Sequence, residues 1–284
     1  MTAIVTYARN RIALVASRSL ARHGVRVITA DSIYPAMSFF SRYCKGHFLY
    51  PSPMRRPTDF VECLLFKARE HGASVVIPSH EETYVLAQHR SVMEDQGIAV
   101  PVMDPDTILK VHDKAQSVAL ADQLGIPIPR TWYPTKGDDI PHIASQAKFP
   151  VVVKLRKGRG SIGLGYAGSG SELSNIFHRS IAEFGLEPDR YPLVQEYIRG
   201  TGVGVSMLFD HGHLKAQFTH LRLKEFPVTG GTSVERVSIS FPEAEEYARR
   251  ILTHLNWHGV AMVEFRVDTE TQKPYFLEIN PVSY

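Results

Sequence analysis

The most specific chemistry in this sequence sits close to its last residue. Glu264 lies in "AMVEFRVD" and Glu278 in "PYFLEINPVSY", two apolar stretches that read as strands of a hairpin turning through "TETQKP". Side chains alternate along an extended chain, so Glu278 and Asn280 share one face. A carboxylate on the inward face of such a strand is costly unless it meets a cation. Two carboxylates and an amide oxygen form a hard, all-oxygen set suited to a magnesium ion that bridges nucleotide phosphates. The purely structural alternative pairs these carboxylates with Arg266 or Lys273.

A second cluster lies in mid-chain. "PVVVKLRKGRGSIGLGY" places Lys154 at the end of an apolar strand, and Gly158, Arg159, Gly160, Ser161 and Gly163 follow. Gly158-x-Gly160-x-x-Gly163 matches the dinucleotide pattern, but that pattern works only where the glycines turn a strand directly into a helix. Here helical periodicity begins only near Ser171. The segment is therefore read as a hairpin-like flap over phosphates, with backbone N–H groups and Lys157 or Arg159 supplying the positive field. A strand lysine just before it reaches α- and β-phosphates as a point charge. No Gly-Lys-Ser/Thr follows, which excludes a Walker A loop. His80-Glu81-Glu82 lacks the second histidine of a zinc protease, and "DHGHL" reads as a turn with solvated histidines.

These groups need elements to hold them. Residues 1–105 alternate strand and helix: "AIVTYA", a helix ending at Gly24, "VRVITAD", a helix over about Thr58 to Glu70, "ASVVIPS", and a helix over Tyr84 to Met93. That rhythm predicts a parallel, Rossmann-like layer. Its first turn, "YARNRIA", lacks the glycine fingerprint. Residues 106–148 read as a helical connector with a linker near Tyr133 to Pro141. Residues 149–200 and 201–284 carry longer strands with two amphipathic helices, an α+β texture in two lobes.

The order of these features resembles the ATP-grasp superfamily: a helix with "HDK", a strand with lysine, a glycine flap, "VQEYI", then "VEFRVD…YFLEINP". The resemblance spans nearly the whole chain. It implies a Rossmann-like pre-ATP-grasp domain followed by a two-lobed nucleotide clamp, with ATP and Mg2+ as cofactors. It further implies that Lys114 and Lys154 contact phosphates and that Gln195, Glu196, Tyr197 and Ile198 form the adenine edge. "THLRLKEFPVTGGTSVER" is similar to the substrate-side loop of carboxylate–amine ligases. There Arg222, at a strand end, would grip a carboxylate or the transferring phosphoryl group, and Gly230, Gly231 and Ser233 would face an anion.

Three departures stand out. No carboxylate follows "EYI" to hold the ribose; Val282 stands where relatives carry an arginine; and the resemblance implies further chain, so the fold is expected to be truncated at its C-terminal end. Arg222 or Arg266 would then supply the missing positive charge. The expected activity is an ATP-dependent ligase joining a small carboxylic acid to an amine through an acyl phosphate. The alternatives are a bicarbonate-using enzyme of the carboxyphosphate type and a Mg-ATP-binding module with impaired catalysis. A net charge of +3 over 284 residues is too weak to argue for nucleic acid, and no apolar run suits a membrane. Two cysteines without metal spacing and the absence of a signal peptide favour the cytoplasm. A homodimer is compatible with the sequence.

Overall fold

The computed structural model of the chain describes residues 1–158, 162–226 and 232–281. Arg159, Gly160, Ser161, Gly230, Gly231 and Val282 lie outside them. The first unit contains β1 (Thr2–Val5), α1 (Arg11–Arg22), β2 (Arg26–Asp31), β3 (Cys44–Leu49), α2 (Pro57–His71) and β4 (Val75–Ile77). All four strands run parallel in the order β3-β2-β1-β4. Strand β1 is buried throughout, as expected where helices cover both faces. Helix α2 starts with Pro57 in its first turn and stops at Gly72 in the left-handed conformation, matching the start and stop signals in the sequence. The sequence reading missed β3. "CKGHFL" buries only Phe48, because it is an edge strand with one neighbour. The single helix expected over Tyr84 to Met93 is two, α3 (Glu82–Gln88) and α4 (Arg90–Glu94), broken at His89.

Helices α5 (Pro105–His112) and α6 (Lys114–Gln123) follow head to tail, each opened by an aspartate cap, Asp104 and Asp113. The next unit comprises β5 (Thr131–Trp132), α7 (Asp139–Gln146), β6 (Val151–Lys154), β7 (Gly165–Ala167), α8 (Gly170–Phe184) and β8 (Leu193–Glu196). Its strands form an antiparallel sheet ordered β5-β8-β6-β7 over a separate core that includes Ile143, Val153 and Phe177. The expected linker near Tyr133 to Pro141 is thus interrupted: β5 and α7 belong to the small lobe. A two-residue strand is too short to leave a periodic signal.

The last unit contains β9 (Gly200–Asp210), β10 (His213–Phe226), β11 (Thr232–Ile239), α9 (Pro242–His254), β12 (Gly259–Asp268) and β13 (Pro274–Asn280). Its antiparallel sheet is ordered β11-β10-β9-β12-β13. The core beneath this sheet is continuous with that of the N-terminal unit, running from Phe60 and Leu64 to Phe265 and Phe276. Two of the three sheets therefore form one packed base, and the small lobe stands on it with its own core. No helix among the described residues is long and apolar enough to cross a membrane.

Candidate active site

Strands β12 and β13 pair with Glu264 directly opposite Glu278, and a bulge follows between Glu264 and Phe265. Directly opposed carboxylates repel unless cations stand between them. Here each carboxylate has a cationic partner of its own. Lys114 Nζ lies 3.0 Å from Glu278 Oε2, and Arg222 Nη2 lies 2.5 Å from Glu264 Oε1. The partners are therefore Arg222 and Lys114, rather than the Arg266 or Lys273 of the structural alternative. Asn280 Nδ2 donates to Glu264 Oε1 at 2.8 Å, which leaves its carbonyl oxygen available as a third oxygen ligand. Burial and the neighbouring Glu278 push the Glu264 carboxyl up to about 7, although Arg222 pulls the other way. Burial also opposes ionisation of Glu278, but Lys114, Lys154 and Arg222 hold it below the usual range. Lys154, on β6 across the cleft, is pushed down to about 8 by desolvation, which outweighs the attraction of Glu278. Two carboxylates with different proton affinities thus face two lysines and an arginine.

How Arg222 reaches Glu264 depends on what strand β9 lacks. Glycines at 200, 202 and 204 recur with period two and share one face of β9. Gly204 pairs with His220 on one side and Glu264 on the other. A Cβ on Gly204 would lie 2.5 Å from His220 Cε1 and 2.8 Å from its Nε2; one on Gly202 would lie 2.9 Å from Arg222 Cδ. The bare backbone therefore lets both side chains lie across β9 towards β12. Arg222, expected at a strand end, instead occupies the interior of β10. Burial disfavours its charge, but Glu264 and Glu225 more than compensate. His220 is 1% exposed, and desolvation with Arg236 and Arg222 nearby pushes it down to about 4, so it is neutral at pH 7. The period-two glycines were the missed signal: "GTGVGVSM" says more by what it leaves room for than by its lack of a ribose carboxylate.

The flap is anchored to the same place. Lys114 Nζ donates to the Gly158 carbonyl at 3.1 Å, and the Lys114 backbone N–H donates to the Arg156 carbonyl at 2.8 Å. Arg156 forks onto the nearly buried Asp113 at 2.7 and 3.1 Å, tying the strand before the flap to the cap of α6. Gly163 has φ +68°, and a Cβ there would lie 2.5 Å from Leu155 Cγ, so that position of the glycine pattern is demanded by folding as well.

The expected adenine edge has mixed roles. Gln195 is buried and spends its amide on Thr131 Oγ1 at 2.8 Å, holding β5 to β8, so its side chain serves the small-lobe sheet. Glu196 accepts weakly from the Arg130 N–H at 3.4 Å. Tyr197 packs edge-on against Tyr166, and the Ile198 carbonyl accepts from Arg266 Nε at 3.4 Å. Arg266 thus stands at the crossover between the lobes, apart from the role of a charge donor beside Glu264 that the sequence suggested. Ser233 lies in β11, the edge strand of the large sheet, and donates to the Glu235 carbonyl at 3.3 Å.

The ATP-grasp domain family matches residues 111–282. The D-alanine--D-alanine ligase of Carboxydothermus hydrogenoformans is 27% identical over 188 residues, which cover 60% of this chain and 58% of that protein. The urea amidolyase of Lachancea kluyveri is 23% identical over 78% of this chain but only 12% of its own length. For the α subunit of methylcrotonoyl-CoA carboxylase from Arabidopsis thaliana the figures are 25% identity, 75% of this chain and 30% of that protein. The chain thus spans about an eighth to three-fifths of the length of these relatives. Among solved structures, a biotin carboxylase–β,γ-ATP complex from Campylobacter jejuni superposes with TM-score 0.79, at 16% identity, over 99% of this chain and 65% of that one. The biotin carboxylase domain of the 2-oxoglutarate carboxylase of Hydrogenobacter thermophilus, bound to MgADP and bicarbonate, gives 0.74 at 18% identity over 99% and 64%. These two likenesses speak to the fold, and the family match speaks to the sequence: the chain belongs to the ATP-grasp domain family.

Proposed function

We propose that the cleft binds ATP with Mg2+ and that the protein is an ATP-dependent ligase, joining a small carboxylic acid to an amine through an acyl phosphate with release of ADP and phosphate. One observation carries the reading: Lys114 contacts both Glu278 and the flap carbonyl of Gly158, so the acidic strands and the flap border a single space. The acidic pair fits a divalent cation. Glu264 and Glu278 face each other in register, Asn280 keeps an oxygen free, and all three donors are hard. Glu264, Glu278 and Asn280 would hold that cation, whose positive charge would offset the negative charge of nucleotide phosphates. Lys114 and Lys154, with Gly158, Arg159, Gly160, Ser161 and Gly163 of the flap, cover the remaining phosphate charge, and the backbone from Glu196 to Ile198 edges the adenine. Arg222, rather than Arg266, is the group beside Glu264 and is the candidate to stabilise charge on the transferring phosphoryl group. Gly230, Gly231 and Ser233 belong to the acid-binding side.

In the same reading, the N-terminal parallel layer is a Rossmann-like pre-ATP-grasp domain, and the small lobe starts at β5. The partners are a small-molecule acid and an amine, in the cytoplasm, with a homodimer as the assembly. A second reading replaces the organic acid by bicarbonate. It is favoured by the biotin carboxylase domain with MgADP and bicarbonate and by the carboxylases among the relatives. Phosphate release from Mg-ATP separates the two. Release with a pool of amino acids and small carboxylates supports the first, and release with bicarbonate alone supports the second. Absence of release in every case, with Mg-ATP still bound, would leave a binding module.

A further inference from the structure

Another group of donor atoms lies at the far end of the large sheet from the acidic pair. The turn read in "DHGHL" joins β9 to β10 through His211 and Gly212, closed by the pairing of Asp210 with His213. Both turn residues have positive φ, +45° and +77°, the form of a type I′ turn, in which asparagine or glycine is the favoured choice. His211 is not simply solvated: its ring stacks on that of His258, with centroids 4.2 Å apart and planes 17° from parallel. His258 Nδ1 is buried, has no hydrogen-bond partner among the described residues, and lies 3.6 Å from Asp210 Oδ1. One donor atom from each of Asp210, His211 and His258 lies within 4.8 Å of the other two. The segment that carries His258 is fixed from several sides. The Gly212 N–H donates to the Trp257 carbonyl at 2.8 Å, Trp257 is fully buried, and the His258 N–H is 3.3 Å from Met103 Sδ. Gly259 has φ +94°, and a Cβ there would lie 2.2 Å from the Pro101 carbonyl oxygen.

The contact between His258 and Asp210 is too long for a hydrogen bond. Nor is it an ion pair at pH 7. Burial first, then His211 and Arg90, lowers the proton affinity of His258 against the pull of Asp210 and Glu94, so the imidazole is neutral and keeps a lone pair. Asp210 turns Oδ2 to Lys215 at 3.4 Å and Oδ1 to the imidazole. Two ligands held about 2.1 Å from one zinc ion stand about 3.4 Å apart in a tetrahedral arrangement, close to the spacing between these two donors.

We propose that Asp210, His211 and His258 form a site for a divalent metal ion of the zinc class, separate from the acidic pair. Two imidazoles and one carboxylate make a nitrogen-rich set that favours Zn2+, Co2+ or Ni2+ over Mg2+, and three protein ligands leave a position for water. Gly204 pairs with Glu264, and Asp210 closes the same strand roughly 20 Å further on, too far for one ion to serve both groups. The ion clamps the β9–β10 turn to the segment entering β12 and, through the packing of that segment on Pro101 and Met103, to the chain that leads into α5. Its role is structural, and the inference stands independently of the ligase reading.

The test titrates the full chain with Zn2+ by calorimetry and with Co2+ by visible absorption, with Mg2+ in excess throughout. One equivalent of Zn2+ should bind saturably, and Co2+ should develop the visible bands of a low-coordinate ion, which Zn2+ then bleaches. The Tm should rise by roughly 5 °C when Zn2+ stands about a hundredfold above its Kd. His258→Ala and Asp210→Asn should each weaken zinc at least about 100-fold, the upper end of the range for outer-shell partners. His211→Asn installs the residue that the turn prefers, so the metal-free protein should melt at or above the wild-type temperature while zinc weakens at least about 10-fold. A histidine that served only the turn would not produce that split. His142→Ala, which removes an exposed imidazole on α7, should bind zinc as wild type does. Absence of saturable zinc binding, or binding that persists unchanged in His258→Ala and His211→Asn, would overturn the proposal.

Discussion

Replacing Gly204 by alanine should disturb the site from its far side. The added methyl would lie 2.5 Å from His220 Cε1, 2.8 Å from Nε2 and 3.1 Å from Met262 Sδ. His220 is 1% exposed and cannot swing into solvent. Ordinary carbon contacts begin near 3.5 Å, so the ring must shift by about 1 Å against a packed wall. Overpacking of this kind costs about 1–3 kcal/mol, which lowers Tm by roughly 2–10 °C in a chain of this size. The displaced imidazole crowds Arg222 two residues along β10 and loosens the group that orients Glu264. Mis-set supporting groups typically reduce metal affinity by about 10- to 100-fold, and the magnesium dependence of ATP binding should weaken accordingly. The assay is a thermal melt together with a magnesium titration of ATP binding, made on Gly204→Ala, His220→Ala and the double variant. If the contact is the cause, His220→Ala makes room for the new methyl, and the double variant should melt close to His220→Ala alone. Strictly additive losses would refute the reasoning, because the two sites would then be independent.

Three further outcomes follow from the electrostatics. Glu264, raised to about 7, must be ionised to hold a dication, so magnesium affinity should fall about tenfold per pH unit below 7. Because this acid is more readily protonated in the folded than in the unfolded chain, its own contribution to stability rises as pH drops from 7 towards its ordinary value, opposite to the trend in metal affinity. Titrations at pH 6, 7 and 8 would expose a flat profile. Lys154, depressed to about 8, should take up a proton when a triphosphate arrives, measurable near pH 8 by calorimetry in buffers of differing ionisation enthalpy; identical heats would contradict it. Arg156→Met strips the partner from Asp113, whose side chain is 5% exposed, and should destabilise the chain by about 3 kcal/mol in urea unfolding, with Arg156→Lys intermediate. A loss below about 0.5 kcal/mol would mean that the link between flap strand and helix cap is ornamental.

The acidic strands were legible from sequence because three constraints coincide there: apolar alternation, polar residues at inward positions, and a short turn between. The shared face of Glu278 and Asn280 followed from period two alone, whereas the register of Glu264 against Glu278, with a bulge beside it, was not read from the pattern. Lys114 was found only through family resemblance. Its helix has no amphipathic signature, and its partners, Glu278 and Gly158, lie 164 and 44 positions away. The partner of Glu264 could not be read, since Arg222 crosses an intervening strand to reach it, and nothing in a one-dimensional pattern reports a gap left by glycine. Strand β3 and strand β5 escaped for a different reason: one lies at an edge with little to bury, and the other is two residues long. Gln195 shows the converse limit. Its place in the family motif suggested a ligand contact, while its buried amide serves Thr131.

Each acidic group at the end of the hairpin already holds a counter-ion from its own chain, Lys114 for Glu278 and Arg222 for Glu264. A newcomer must therefore dislodge a tethered rival present at high effective concentration. A lone dication would leave the ammonium of Lys114 with the Gly158 carbonyl but no anion, and a lone polyphosphate would draw that ammonium away and leave Glu278 bare. Only the two together satisfy every party. Under the proposed function, the hairpin and its rivals would act as a coincidence detector, in which each half of the ligand strengthens the hold on the other.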